Sequence, residues 1–413
     1  MKFPSSTIFI AGVVLASAGL SSRLSAAPMP APLSDIDFSA SGTAKEEYNS
    51  NVLSSANNNG GRVSKFDDYV ATFNPGLTLK YGAIADTTLT FDYTETFYRY
   101  YVHPSLNEEM SNVDFNIQRK QGAFDLTAGV SFVQSYNNTP DNNVAGSGRT
   151  SILRTDTISA NANAHWNYSD KFNFDAGLNY IQTRYLYTAG SALENSDTYT
   201  VPITGYYVYS DQVSVGAGYT YSQTSPKPPA AAPIPPATTR TPGASRYNNN
   251  FSLNTKLTKW NKLTGSANIG VSMNHVDAGV ANGSPALDTT AVSYGVDLDY
   301  AYSDPLSITM NGSRNFSTGT AGQNIEATTL GLGVNYDYSS NVSATINLMT
   351  FTYSQYLQAD RHDKTKTSGI TVTWKPYSYL SFSTGYSYYM NSSDAANSTY
   401  NISTAFVSAT VTY

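Results

Sequence analysis

The stretch Val292-Ser293-Tyr294-Gly295-Val296-Asp297-Leu298-Asp299-Tyr300 alternates apolar and polar side chains without a break. Because successive side chains of a β-strand point to opposite faces, one face here carries Val, Tyr and Leu and the other carries Ser, Gly and Asp. One face therefore suits hydrocarbon and the other suits water. The final segment, residues 404–413, alternates in the same way, with Phe406 as the exception on its polar face.

This alternation recurs about 18 times between Asp35 and Tyr413, in segments of roughly ten residues separated by turns. Residues 124–132 and 330–337 are further clear examples. Lipid accepts only strands whose backbone groups all pair around a closed ring, so the pattern predicts an all-β fold, an antiparallel transmembrane β-barrel.

The composition agrees with a barrel and excludes several other classes of protein. The chain is 40% hydrophobic and 13% charged, and it contains 33 Tyr and 17 Phe at a net charge of -6, which argues against intrinsic disorder. The absence of cysteine excludes disulfides, a lipoprotein anchor and thiolate metal sites. The acidic balance, without a Lys/Arg cluster, predicts no nucleic-acid partner.

The N-terminus has the pattern of a secretory signal peptide. Lys2 precedes the apolar run Ile8 to Leu20, and small residues follow at 25–27. Cleavage after Ala26 is favoured because cleavage after Ala27 would place Pro28 directly behind the scissile bond. An uncleaved anchor would need about 20 apolar residues, more than this run supplies. We therefore expect a signal peptide at 1–26 and one outer-membrane barrel domain at 27–413.

Short and long connections alternate along the chain. Eight short polar turns, several following an aromatic residue, separate nine longer segments rich in Asn, Ser, Gly and Pro. In outer-membrane barrels short turns face the periplasm and long loops face outside, so both termini are placed in the periplasm and the strand number is even. About 18 strands are expected, or 16 if the weak segments 111–119 and 198–209 are not strands.

Aromatic residues before the short turns suit a membrane interface, where the ring contacts lipid and the polar tip contacts water. The alternative is that these residues only favour β-strands. The predicted interface girdle consists of Tyr81, Tyr168, Tyr209, Trp260, Tyr302 and Tyr338.

A Pro-rich segment at 225–245 is predicted to be a loop, because proline lacks the N–H that a sheet interior requires. It is either a constriction loop folded into the pore, a surface recognition arm, or a mobile surface loop; the last is favoured.

The N-terminal end of the barrel carries a recognisable arrangement. The first strand closes on Tyr48-Asn49-Ser50-Asn51-Val52, and Asp67-Asp68-Tyr69-Val70 leads into Asn74-Pro75-Gly76-Leu77-Thr78-Leu79. This resembles the opening of the β-barrel porin family of Gram-negative outer membranes known as the porin 2 type. The resemblance implies an outer-membrane barrel of poorly defined substrate, and it supplies no functional residues to transfer.

Enzymatic chemistry is not expected. His165 shares a polar face with Ser159, but the two lie six residues, roughly 20 Å, apart along the strand, too far for a nucleophile and base. A lumen-lining histidine with water partners is the preferred interpretation of His165. Asp141-Asn142-Asn143 lacks the spacing of a Ca²⁺ loop. No catalytic residue, metal or cofactor is predicted.

Charged residues on the polar faces are expected to line an aqueous lumen, where carboxylates attract cations. Acids outnumber bases six to two in the predicted set, although local pairing or screening would weaken their effect. The lumen-lining residues are Lys80, Asp92, Asp125, His165, Asp175, Lys256, Asp297, Asp299 and Asp337.

The polar faces are otherwise neutral and rich in hydroxyls and amides. The sequence thus predicts a porin-like channel for passive diffusion of small hydrophilic solutes, with outer-membrane lipid as its surroundings. The alternative is a structural or surface-interaction barrel, or an accessory to exopolysaccharide export, with a closed pore.

Overall fold

The structure is a computed structural model that describes residues 36–54, 66–82, 86–136, 154–186, 195–227, 244–278, 286–318, 323–357, 360–395 and 398–413. The expected signal peptide at 1–26 lies outside these residues, as do Asp141-Asn142-Asn143 and most of the Pro-rich segment. In the described part of the chain, no helix is long and apolar enough to cross a membrane.

Within the described residues, the regular structure consists of eighteen antiparallel strands and one short 3-10 helix, Pro104–Leu106. The strands, in chain order, are β1 Ile36–Asn49, β2 Asp68–Tyr81, β3 Thr87–Tyr100, β4 Glu108–Gln121, β5 Phe124–Tyr136, β6 Arg154–Asn167, β7 Phe172–Leu186, β8 Asn195–Ser210, β9 Val213–Lys227, β10 Arg246–Trp260, β11 Leu263–Val276, β12 Leu287–Ser303, β13 Leu306–Thr318, β14 Asn324–Ser339, β15 Val342–Tyr356, β16 Arg361–Tyr377, β17 Leu380–Ser393 and β18 Tyr400–Thr412.

Every strand pairs with its neighbours in sequence, and β1 also pairs with β18, which closes the sheet into a barrel. The two weak segments of the sequence are both strands, β4 and β8, each paired on both sides. The prediction of about 18 strands is confirmed, and the alternative of 16 is wrong.

Contacts between non-neighbouring strands identify the inner face of the barrel. Lys256 of β10 contacts Asp175 of β7, with 2.7 Å between Nζ and Oδ2, and Asn250 of β10 donates to Ser293 of β12 at 2.6 Å. Side chains can reach across intervening strands only on the concave side. The alternate positions, such as Leu253 and Ile269, face outward and are apolar.

The outer face is an apolar surface exposed to the surroundings: Leu253 is 66% exposed and Ile269 is 59% exposed. A closed barrel leaves no unpaired strand edge, and an apolar exterior matches hydrocarbon. The chain is accordingly an outer-membrane β-barrel.

The strands extend further into the long connections than the sequence indicates. β9 continues to Lys227, so the Pro-rich loop begins three residues later than the predicted 225–245. Pro226 pairs only with Ser196 of β8, because β10 reaches no further along β9 than Thr224. Because no strand pairs with Pro226 on the side of β10, the missing N–H of this proline removes no hydrogen bond from the sheet there.

Two described parts of the first long loops pack together at the long-loop end of β2 and β3. Val52, Leu53 and Leu106 form a buried cluster with Val70 and Tyr100, which point inward. Their burial removes apolar side chains from water and fixes these loop segments against the inner wall.

A buried carboxylate holds the second of these loops in place. Asp68 is buried and accepts hydrogen bonds from the backbone N–H groups of Tyr101, Val102 and His103 at 2.9 to 3.0 Å. Burial raises the pKa of Tyr101 to about 12, and its hydroxyl donates to Glu46 Oε1 at 2.9 Å. The loop after β3 is therefore anchored on both faces of the wall.

The tip of the β13–β14 hairpin separates from β12, although β14 stays paired with β15 as far as Ile325. β12 pairs with β13 only as far as Tyr294 and Arg314, whereas β13 and β14 remain paired up to Thr318 and Asn324. The freed tip reaches β10, where Arg246 Nη1 donates to Thr318 Oγ1 at 3.1 Å. The hairpin thus leans into the barrel at its long-loop end.

Candidate functional site on the inner wall

Four of the predicted lumen residues come together near the short-turn end of the barrel. Asp125, His165 and Asp175 are direct cross-strand neighbours on β5, β6 and β7, and Lys120 of β4 lies opposite Asp125. Side chains at such positions lie close on one face. We call Lys120, Asp125, His165, Asp175 and Lys256 the charge row.

Asp175 is the centre of the charge row. Its two oxygens accept from His165 Nδ1 at 2.5 Å and from Lys256 Nζ at 2.7 Å. The Lys256 ammonium also lies 4.0 Å from the centre of the Tyr206 ring, a cation–π distance. Lys256 reaches Asp175 across β8 and β9, so the charge row joins the four consecutive strands β4 to β7 to strand β10.

His165 differs from the sequence prediction in its partners. Its Nδ1 contacts Asp175, and its Nε2 lies 3.0 Å from Asn167 Oδ1, so protein groups occupy both ring nitrogens where water partners were expected. Contacts at both ring nitrogens fix the ring orientation. Ser159 pairs with Ser131 and Ile181, away from the ring.

Asp125 is held more loosely at the other end of the charge row. Gln118 Nε2 donates to it at 3.2 Å, and Lys120 Nζ lies 3.9 Å from its Oδ2. Gln118, Lys120 and Tyr206 were not predicted as site residues. The cross-strand register that brings them to Asp125 and Lys256 is a tertiary property.

The remaining predicted acids stand apart from the charge row. Among the described residues, Asp92, Asp297, Asp299 and Asp337 form no ion pair; Asp92 accepts a hydrogen bond from Thr78 at 2.5 Å. Asp114, which the sequence analysis missed, lies directly opposite Asp92.

Two predicted lumen residues, Lys80 and Asp337, each have a neighbour of opposite charge with which they form no ion pair. Lys80 lies opposite Asp37 on the inner face. Asp337 lines a recess with Lys375 at the short-turn end. Like charges at Asp92 and Asp114 repel across the strands, which adds to the negative potential of this part of the wall.

The six predicted girdle residues all lie at short-turn strand ends or in the turns themselves, and all are exposed. Trp260 lies between Lys259 and Asn261, whose positive φ values of 60° and 53° form a tight turn. Tyr168 packs edge-on against Trp166 at a ring distance of 5.0 Å. Their role at a membrane interface stays a prediction.

Other aromatic side chains at the same end were not predicted as girdle residues. Tyr377 and Tyr379 stack at 5.4 Å, and Trp374 stacks on Phe382 at 5.6 Å. Tyr377 ends β16, and alternation along this strand places Trp374 on the apolar face.

Within the described segments, no group of three or more His, Asp or Glu side chains is placed to hold a metal ion. The charge row is an arrangement of ion pairs and hydrogen bonds.

The fold is similar to that of solved barrels at very low sequence identity. The ferric citrate transporter FecA in its unliganded form is 9% identical over 91% of this chain and 79% of its own, with a TM-score of 0.51. OccK1 (OpdK) of Pseudomonas aeruginosa is 9% identical over 91% of this chain and 99% of its own, with a TM-score of 0.46.

A BenF-like porin from Pseudomonas fluorescens Pf-5 is 10% identical over the same shares, with a TM-score of 0.46. Neither a protein-family model nor a curated protein matches the chain. At these identities the likeness concerns the barrel fold alone.

Proposed function

We propose that the chain forms an open, water-filled channel for passive diffusion of small hydrophilic solutes. The observation that carries this proposal is the closed ring of 18 strands with a polar inner face. A barrel of this strand number encloses an aqueous channel unless loops plug it. The small hydroxyl and amide side chains of the inner wall bind water and present no apolar barrier to a hydrated solute.

The charge row is proposed to act as a polar contact region for solutes near the periplasmic end. Asp175 and its partners hold a fixed geometry, while Asp125 keeps a looser set of contacts. Fixed dipoles and charges along a pore wall replace part of the hydration of a passing solute. The protein acts in this proposal as a channel and not as an enzyme.

Membership of the porin 2 type is part of the same proposal. The opening arrangement that resembles this family has a structural reason in the fold. Asn51 is buried, its N–H donates to Asn49 Oδ1 at 2.9 Å, and its side-chain amide donates to the carbonyl of Asn401. The end of β1 is thereby fixed to β18 across the closing seam.

The proposal is tested by reconstituting the purified full chain in planar bilayers. Discrete open-channel current steps, together with swelling of proteoliposomes in small neutral solutes, are the expected result. A folded barrel, identified by its heat-sensitive migration on gels, that stays electrically silent at all applied voltages would contradict the channel.

One observation favours a second candidate function, a barrel with a closed pore acting in surface interaction or polysaccharide export. The cluster of Val52, Leu53 and Leu106 and the tip of the β13–β14 hairpin both occupy inner space at the long-loop end. If they block the lumen, the bilayer experiment gives no steps. Removal of the hairpin tip, residues 316–326, would then produce a conducting channel.

A further inference from the structure

The inward lean of the β13–β14 hairpin creates a cleft between its tip and the inner wall. The wall side is formed by β7 to β11 and the other side by residues 316–318 and Asn324. Its volume is about 300 Å³. That value lies at the lower end of the range for small-molecule sites, roughly 300 to 1,000 Å³. The cleft is separate from the charge row, with which it shares no lining residue.

Two amide donors in the cleft have no hydrogen-bond partner among the described residues. The Nδ2 groups of Asn274 and Asn324 are buried, the residues being 5% and 1% exposed, and neither amide nitrogen finds an acceptor. Leaving a buried N–H unpaired costs about 1 to 3 kcal/mol, so such groups are rare without a purpose. Both residues line the cleft, so a rotation of either side chain presents its amide to a bound solute, which can provide the missing acceptor.

The rest of the lining decides the chemistry of that solute. Hydroxyl groups of Thr183, Ser196 and Ser317 add groups that both donate and accept, and the Phe316 ring adds a flat apolar surface. Arg246 supplies the single formal charge among the lining residues, and no carboxylate lines the cleft. A cation therefore finds no counter-charge there.

A neutral ring bearing several hydroxyl groups matches this set of groups. Its hydroxyl oxygens accept from the amides and the guanidinium, its hydroxyl protons donate to Ser and Thr, and its C–H face packs on an aromatic ring. We propose that the cleft binds a neutral polyhydroxylated solute of monosaccharide size. This deepens the proposed function and rests on it, because the solute reaches the cleft through the lumen.

The test uses ligand-observed NMR titration of the full chain in detergent micelles, with D-glucose and D-glucuronate as probes. The variants are Asn274→Ala and Asn324→Ala. The matched control is Asn268→Ala, which lies on the same strand and face as Asn274 but six residues outside the cleft. Each cleft variant is expected to bind glucose roughly three- to tenfold more weakly than the parent, the effect of losing one neutral hydrogen bond.

The control is expected to bind as the parent does, and glucuronate no more tightly than glucose. Because each variant removes an unpaired buried group, both cleft variants should resist urea at least as well as the parent, so weaker binding is not a folding defect. If one of the two cleft variants does not fold, the other alone is sufficient for the test. Equal glucose affinity in parent and cleft variants, preferential glucuronate binding, or no glucose binding by the parent would each overturn the proposal.

Bilayer recordings separate this proposal from the channel function. Glucose binding that depends on Asn274 and Asn324 in a barrel that never conducts supports the cleft and refutes the channel. Discrete conductance without glucose binding refutes the cleft and supports the channel. Conductance in which glucose produces brief current blocks in the parent and the control, but fewer in the cleft variants, supports both.

Discussion

Neutralising the unpaired carboxylates of the inner wall should remove most of the ion preference of the channel. We choose the triple variant Asp297→Asn, Asp299→Asn, Asp337→Asn. These three have no ion-pair partner among the described residues, whereas Asp175 is neutralised locally by Lys256. An ion pair at 2.7 Å acts at a distance as a dipole, and its field falls off faster than that of a single charge.

The expected magnitude follows from the number of unpaired charges. Among the described residues, Asp92, Asp114 and the three substituted residues are inner carboxylates without an ion pair, and Lys80 offsets Asp37 across their strands. Lys375 beside Asp337 offsets one of the five, which leaves an excess of four negative charges. Removing three of these four negative charges leaves a quarter of the excess. The variant should therefore keep less than half of the parental reversal potential.

The assay is the reversal potential of single channels across a tenfold KCl gradient, for which ideal cation selectivity gives roughly 59 mV. The parent should be cation-selective, more so with the dilute side near 0.01 M than near 0.1 M, because the Debye length shrinks from about 30 to about 10 Å. The matched control is the charge-neutral double variant Asp175→Asn, Lys256→Gln, which should behave as the parent. Anion preference in the parent, or an unchanged potential in the triple variant, would refute the reasoning.

Three further outcomes are expected. Ile269→Arg, on the apolar outer face at the middle of β11, should lower the free energy of unfolding in lipid vesicles by about 2 to 4 kcal/mol. Asn268→Arg, on the inner face, should change it by about 0.5 kcal/mol or less, and equal losses would show that the two faces are assigned wrongly. Deleting residues 228–241 should leave the heat-sensitive gel migration intact, because the flanking strands pair without them, and loss of the folded band would contradict this. Hydrogen bonds from the backbone N–H and the ring of His362 lower the pKa of Asp394. The contact between Asp394 and His362 therefore stabilises the loop after β17 at neutral pH and is lost as the pH falls through that lowered pKa. Proteolysis of this loop should be faster in Asp394→Asn than in the parent at pH 7, and equal in both at pH 2.

Strand number and the two faces could be predicted from the sequence because both depend on a period of two that each strand repeats. The alternation around Val296 and Leu298 places Asp297 on the inner face without knowledge of any partner. Phe406, which breaks the alternation of the last strand, is explained only by the structure. Its ring lies against Gly385, where a side chain would leave no room, and Lys45 lies 5.7 Å from the ring centre.

The arrangement of the candidate site could be predicted only in part. The sequence placed Asp125, His165, Asp175 and Lys256 on polar faces, but cross-strand register, set by turn lengths and bulges, decided that they meet. The inward lean of the β13–β14 hairpin was not predicted, because both strands alternate as regularly as their neighbours. The burial of Leu53 and Leu106 was missed as well, since both lie in segments that resemble ordinary polar loops.

The pairing of β1 with β18 has a consequence for how the barrel is made. Nine residue pairs, from Ser41–Thr412 to Asn49–Thr404, join segments that are more than 350 residues apart in the chain. Contacts of such sequence separation form late and slowly, because the entropy of closing the loop between them is lost first. Until β18 has paired with β1, both strands present open edges that can pair with other chains. The folding chain therefore depends on β18, more than on any central strand, for protection from aggregation before the barrel closes.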